Sequence, residues 1–263
     1  MNFRKFIYPV LAICCAFGFY YFENYLDREK LSVTTNTSST SKYLPSSTTG
    51  MVINHKFYTL SYSEEHEQAE WVFYTLNKNQ LRKKEYKRPY FINDPLVSTI
   101  SADWRNYKKS GYDRGHLCPA GDRKFSYQAF EETFFTSNIA PQLPEFNQGI
   151  WNQLEQRVRY WTNKYDSLII ITGGVLTDRL ASIGYESVSI PNYFYKIVLR
   201  KEQDRLHVIA FLIPNSNKTN ALLTYQTSVQ NIERLTNIDF FAGMDSDIQD
   251  KLESTIDRKA WKF

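Results

Sequence analysis

Gly111-Tyr-Asp-Arg-Gly-His-Leu-Cys-Pro-Ala-Gly-Asp122 is the most informative stretch of this 263-residue chain. Asp113, Arg114 and His116 put an acid, a permanent cation and an imidazole within four residues. Gly115 between them permits a backbone path that a side chain would resist. An imidazole titrates near neutrality and can take a proton from water. A guanidinium can grip a phosphate through two parallel hydrogen bonds. A histidine alone is more often structural than catalytic, and His55, His66 and His207 sit isolated in apolar or acidic strand-like text. Cys118 is read as a structural, reduced thiol, because two metal-binding side chains without two more do not make a zinc site.

Outward from this stretch the sequence is basic and aromatic. Lys78 to Lys124 holds twelve Lys and Arg against five acidic residues, interleaved with Tyr86, Tyr90, Phe91, Trp104, Tyr107 and Tyr112. Such a region suits a phosphate backbone and exposed bases; a solvated face over an ordinary core would read the same way. Over the whole chain 32 basic residues meet 28 acidic ones, a net charge of +4. That balance excludes a protein basic all over and an acidic disordered chain. With 42% hydrophobic residues there is material for a core, and three cysteines, two of them adjacent, cannot build a disulfide framework.

Further out, the pattern predicts strands at 56–61 and 70–76, a helical turn at 130–135 and a helix over 147–165. Ile150, Trp151, Leu154, Val158 and Trp161 form the apolar stripe of that helix. A buried strand at 168–172 ends at Gly173 and Gly174, a hairpin joins 194–199 to 206–213, and a second helix covers 221–235. Strands and helices in mixed order, with hairpin connections, give an α+β fold around a mixed or antiparallel sheet. At the N-terminus, Arg4 and Lys5 precede seventeen uncharged residues, Phe6 to Phe22. Residues 1–30 are therefore expected to be a signal peptide or an uncleaved membrane anchor that exports the rest, leaving it membrane-anchored, secreted or periplasmic. Residues 31–50, dominated by Ser and Thr, read as a flexible linker, and the folded domain as 51–263.

Asp113-Arg114-Gly115-His116 resembles the signature of the DNA/RNA non-specific endonucleases. The resemblance continues in Thr136-Ser-Asn-Ile-Ala-Pro-Gln142, Phe146-Asn-Gln-Gly-Ile-Trp-Asn-Gln-Leu-Glu155, Ile190-Pro-Asn-Tyr-Phe-Tyr-Lys196 and Ile213-Pro-Asn215, and covers about 51–242. It implies a ββα-metal (His-Me) finger that hydrolyses DNA and RNA with little sequence preference. His116 would be the general base and Asn147 the protein ligand to magnesium, with manganese able to substitute. Glu155 would hold metal-bound water, and Arg159 and Arg114 would stabilise the phosphate. Asp113, Asn138, Gln142 and Arg88 are the candidate substrate-binding or supporting positions, with Lys87 an alternative to Arg88. Some relatives dimerise, so a homodimer is one expected assembly.

On a straight helix Glu155 and Arg159 fall about 80° and 120° around the axis from Asn147, which lets all three face one cleft. Two plainer readings stay open: Asn147 as a helix N-cap, and Glu155–Arg159 as a surface pair. A non-catalytic nucleic-acid-binding module at the cell surface is the alternative function.

Overall fold

The computed structural model describes residues 17–18, 40–81, 84–218 and 220–263. The chain divides into two units, Met1–Thr35 and Asn36–Phe263, and the sheets and helices below belong to the second. The proposed signal or anchor, 1–30, lies outside the described residues apart from Phe17 and Gly18.

Strand β1 (Val52–Asn54), β2 (Thr59–Ser63) and β3 (Gln68–Asn77) open a seven-stranded sheet. It continues through β6 (Ser167–Gly174), β9 (Tyr193–Glu202), β10 (Arg205–Pro214) and β11 (Gln226–Thr227), in the order β1-β2-β3-β6-β9-β10-β11. Every pairing in it is antiparallel. Two two-stranded sheets complete the set: β4 (Asp113–His116) with β5 (Ile139–Gln142), and β7 (Ser182–Ile183) with β8 (Val188–Ser189).

Alternation explains why both faces of the main sheet are covered. In β3, Val72, Tyr74 and Leu76 join one core with Leu154, Val158 and Trp161. Trp71 and Phe73 point the other way into a second core with Val229, Ile232, Phe240 and Leu252. The first core is covered by helix α2 (Asn152–Tyr165), whose buried apolar residues, Leu154, Val158 and Trp161, belong to the expected stripe. The second is covered by α3 (Val229–Thr236) and α4 (Ser246–Ser254). Helix α1 (Tyr127–Glu132) contributes Phe130 to a third cluster with Phe91, Phe134 and Ile139.

Three expectations change. The strand expected to stop at Gly173 runs through Gly174, because both glycines pair with β9, at Tyr195 and Phe194. Gly173 marks a close approach, where a Cβ would sit 2.2 Å from the Glu70 carbonyl oxygen. The helix expected over 221–235 starts at Val229; before it come a 3-10 turn, Leu222–Tyr225, and β11. Ser228 caps that helix by accepting from the Asn231 amide at 3.2 Å, so the apolar residues ahead of the cap extend the pattern without extending the helix. The flexible linker expected to reach residue 50 also ends sooner. Tyr43 is buried, and Trp71 Nε1 donates to the Ser46 carbonyl at 2.8 Å. Thr48 donates its backbone amide to the buried Glu70 carboxylate at 3.0 Å, and the Ser47 and Ser61 hydroxyls meet at 2.6 Å. The Ser/Thr composition supplies hydroxyls to a buried acid, and one aromatic ring supplies the anchor.

Candidate active site

Strands β4 and β5 pair in the register Asp113↔Gln142, Gly115↔Ala140 and His116↔Ile139. A helical turn, Pro144–Phe146, then leads through a π-helical segment, Asn147–Trp151, into α2. This is a ββα unit. Gly115 is required by its partner: a Cβ there would lie 2.2 Å from the Gln142 side chain. Gln142 is fully buried and has little room to yield. Gly115→Ala is therefore expected to lower stability by about 1–3 kcal/mol through overpacking. Thermal unfolding checks this, and Gln142→Ala in the same chain should recover most of the loss.

His116 lines a cleft of about 300 Å³ with Pro119, Gly121, Asn147, Gln148, Asn152 and Glu155. Its ring packs against Phe91 and Phe134, at 5.6 and 5.1 Å between centroids. Its Nε2 is buried without a hydrogen-bond partner. Burial, reinforced by Arg88 and Arg114, pushes the imidazole down to about 3. At neutral pH the ring is uncharged, with a lone pair available for a proton.

Both arginines reach His116 through the same ring. The Arg114 guanidinium lies 4.9 Å from the centre of Phe91 and 5.9 Å from that of Trp104. That of Arg88 lies 5.4 Å from Phe91 and 5.5 Å from Phe134. Stacking on aromatic faces holds a guanidinium in place without neutralising it.

Asn147 is not an N-cap. Its own φ and ψ, −59° and −51°, are helical, and its amide nitrogen donates to the Leu143 carbonyl at 2.9 Å. Its Nδ2 donates to Asp113 Oδ2 at 3.0 Å, where Gln148 Nε2 also donates at 3.1 Å. A carboxylate only accepts, so Asp113 fixes which end of the Asn147 amide faces it and leaves the Oδ1 turned away. Asp113 thus orients the Asn147 side chain. The π-segment, with Gly149 at φ −92° and ψ −107°, alters the helical phase. A count of about 100° per residue therefore does not carry from Asn147 to Glu155 across this kink, although both side chains line the one cleft.

Glu155 and Arg159 are not a free surface pair. Arg159 Nη1 donates to Asp122 Oδ1 at 2.8 Å and lies 3.8 Å from Glu155 Oε2. The Tyr74 hydroxyl donates to the other Asp122 oxygen at 3.1 Å. Burial and Asp122 push the Glu155 carboxyl up to about 7, against the opposing pull of Lys196 and Arg159. Lys196 is fully buried, donates to Thr172 Oγ1 at 3.2 Å and sits 4.6 Å from the centre of the Trp151 ring. Asp122 and Lys196 both fall inside the sequence motifs, yet neither has a role there. The available signal is a lysine inside the apolar run Tyr193–Leu199.

Asn138 and Gln142 do not reach the cleft. Asn138 accepts from the Cys118 amide at 2.8 Å and donates to the Cys118 and Thr133 carbonyls, both at 3.0 Å. Fully buried, the two support the finger from behind. The Cys118 thiol is buried and pushed up to about 12, chiefly by that burial, as befits a structural cysteine. The basic patch is also partly structural: buried Arg123 donates to the Thr75 and Phe57 carbonyls. His55, isolated in sequence, pairs with Asp94 at 2.8 Å in the core.

Comparison with known proteins agrees with this geometry. Residues 36–247 match the family described as DNA/RNA non-specific endonuclease. The chain is 35% identical over 209 residues to mitochondrial nuclease EXOG of Danio rerio, covering 72% of this chain and 61% of that protein. It is 29% identical over 198 residues to human mitochondrial endonuclease G, covering 70% and 67%. With a nuclease of Nostoc sp. it shares 32% over 217 residues, 76% of each chain. The crystal structure of an EndoG/EndoGI complex superposes with a TM-score of 0.73 at 28% identity, over 86% of this chain and 97% of that one. The chain spans about three-fifths of the EXOG relatives. The expectation of an exported protein is overturned by these relatives, several of which are named as mitochondrial. Among the described residues no helix is long and apolar enough to cross a membrane. With the finger, its register and the match over 36–247 in agreement, the chain belongs to the DNA/RNA non-specific endonuclease family.

Proposed function

We propose that this chain is a metal-dependent endonuclease hydrolysing phosphodiester bonds of DNA and RNA with little sequence preference. The observation that carries the reading is the buried, partnerless Nε2 of an uncharged His116, in one cleft with Asn147 and Glu155. His116 takes the proton of the attacking water. Arg114 and Arg88, stacked on Phe91, present positive charge to the phosphate as negative charge grows there. Contacts of that kind go to the backbone and carry no base information, which accounts for slight sequence preference.

The donor set suits a hard cation. The Asn147 amide oxygen, freed by the bond from Nδ2 to Asp113, is an oxygen ligand, and the Glu155 carboxylate in the same cleft can hold the waters that such an ion keeps. A magnesium ion held there, with manganese able to replace it, would supply Lewis-acid stabilisation to the scissile phosphate. Asp113 keeps the ligating amide oriented, and Asp122 keeps Arg159 beside Glu155. Chelator-treated protein should therefore leave supercoiled plasmid and RNA intact and cut both when magnesium is restored. Undiminished cleavage in excess chelator would overturn the metal dependence, and metal-insensitive binding without cleavage would overturn the enzyme.

A further inference from the structure

On the sheet face opposite the cleft, three carboxylates converge. Glu233 of α3, Asp239 in the following loop and Glu253 of α4 each bring an oxygen within 4.8 Å of the other two. Among the described residues no Lys or Arg forms an ion pair with any of them. Glu253 is 5% exposed, and its Oε1 is buried with no hydrogen-bond partner. Leaving a buried carboxylate oxygen unpaired is costly, and three like charges at this separation add repulsion. Burial and Glu233 drive the Glu253 carboxyl up to about 8, and burial raises Glu233 as well. The arrangement needs protons or a cation.

The loop is already held in shape. Glu233 Oε1 accepts from the Phe240 amide at 2.9 Å, and Gln249 Nε2 donates to Asp239 Oδ1 at 2.5 Å and to the Phe240 carbonyl at 2.9 Å. Asp239 is exposed, so the cluster opens to solvent on one side.

We propose that Glu233, Asp239 and Glu253 bind a calcium ion that ties α3 to α4. All three are hard oxygen donors from separate elements. Calcium accepts six to eight oxygens at about 2.3–2.6 Å with loose angular demands, so ligands nearly 5 Å apart can share it. Magnesium binds at about 2.0–2.1 Å, insists on an octahedron and keeps several waters, which suits this spread less well. The ion would meet the unpaired Glu253 oxygen and cancel the mutual repulsion. Glu253 lies beyond residue 247, where the family match ends.

The test is thermal unfolding of chelator-treated full-length protein carrying Asn147→Ala, which removes the amide ligand in the cleft. Adding about 1 mM calcium chloride should raise Tm by roughly 5 °C, and magnesium chloride by less than half as much. Glu253→Gln in the same background should abolish the calcium shift. It should leave the metal-free Tm unchanged or higher, because it also relieves repulsion. Asp239→Asn, at an exposed position, gives the same readout if Glu253→Gln fails to fold. No calcium shift in the Asn147→Ala protein would overturn the site and leave carboxyls that share protons. A shift that survives both carboxyl substitutions would place the ion elsewhere and overturn it equally.

Discussion

His116→Ala should lower kcat for plasmid nicking by about 10²–10⁴-fold, the usual contribution of a positioned general base. KM should move little, because Arg88 and Arg114 are stacked on Phe91, Phe134 and Trp104 and do not depend on the imidazole for their place. The fold should survive, since the substitution removes a ring whose Nε2 has no partner to leave stranded. Far-UV circular dichroism and thermal unfolding establish that point. The pH profile of the wild-type protein adds a second readout. With the imidazole held down near 3, its neutral form persists on acidification well below the ordinary histidine value of about 6.5. kcat should thus show no break that belongs to His116 between pH 5 and pH 8. Stability responds to the same titration. The unfolded chain binds a proton at this histidine that the folded chain refuses, so stability falls as pH drops from about 6.5 towards 3. A His116→Ala protein cutting within tenfold of wild type would remove His116 from the chemistry.

What could be read from sequence divides by distance along the chain. Asp113, Arg114, Gly115 and His116 are contiguous, and the strand they form needs only the facing segment Ile139–Gln142 to make the finger. The stripe from Ile150 to Trp161 gave its helix by period alone. Asp122 and Lys196 escape a sequence reading as functional groups because they come together only across the sheet. Tyr74 of β3 binds Asp122, Arg159 of α2 binds it again, and Lys196 arrives on β9, paired with Thr172 of β6. No local spacing encodes that meeting. The π-segment escapes for another reason: a count at 100° per residue assumes the regular helix that Gly149 departs from. Residues 31–50 mislead by composition, since a Ser/Thr-rich run looks soluble until Tyr43, Ser46 and Thr48 find Trp71 and Glu70. The N-terminal apolar run describes an order of charged and apolar residues and carries no address by itself, which is why relatives could overturn the expectation of export.

The buried lysine leads to the second large effect. Lys196→Met keeps most of the side-chain volume and contact with Trp151 but removes the ammonium that faces Glu155 and Asp122. Removing one member of a buried charge cluster costs about 3–5 kcal/mol, because the remaining charges lose compensation. Urea unfolding near pH 8 should show that loss. The dependence on pH separates this cause from simple repacking. Glu155 is already raised to about 7 in the folded protein, from an ordinary value near 4.5. Its folded form therefore keeps a proton that the unfolded chain has lost between those values. Its contribution to stability is greatest below about 4.5 and is lost as pH rises through about 7. Without Lys196 the carboxyl rises further, and each tenfold gain in proton affinity adds about 1.4 kcal/mol to the deficit at alkaline pH. The destabilisation should shrink on acidification to pH 5.5, where Glu155 is protonated in both proteins, and Glu155→Gln should suppress most of that pH dependence. A Lys196→Met deficit that stays constant from pH 8 to pH 5.5 would mean that the lysine fills space beside Trp151 and leaves the charge of Glu155 to Arg159 alone.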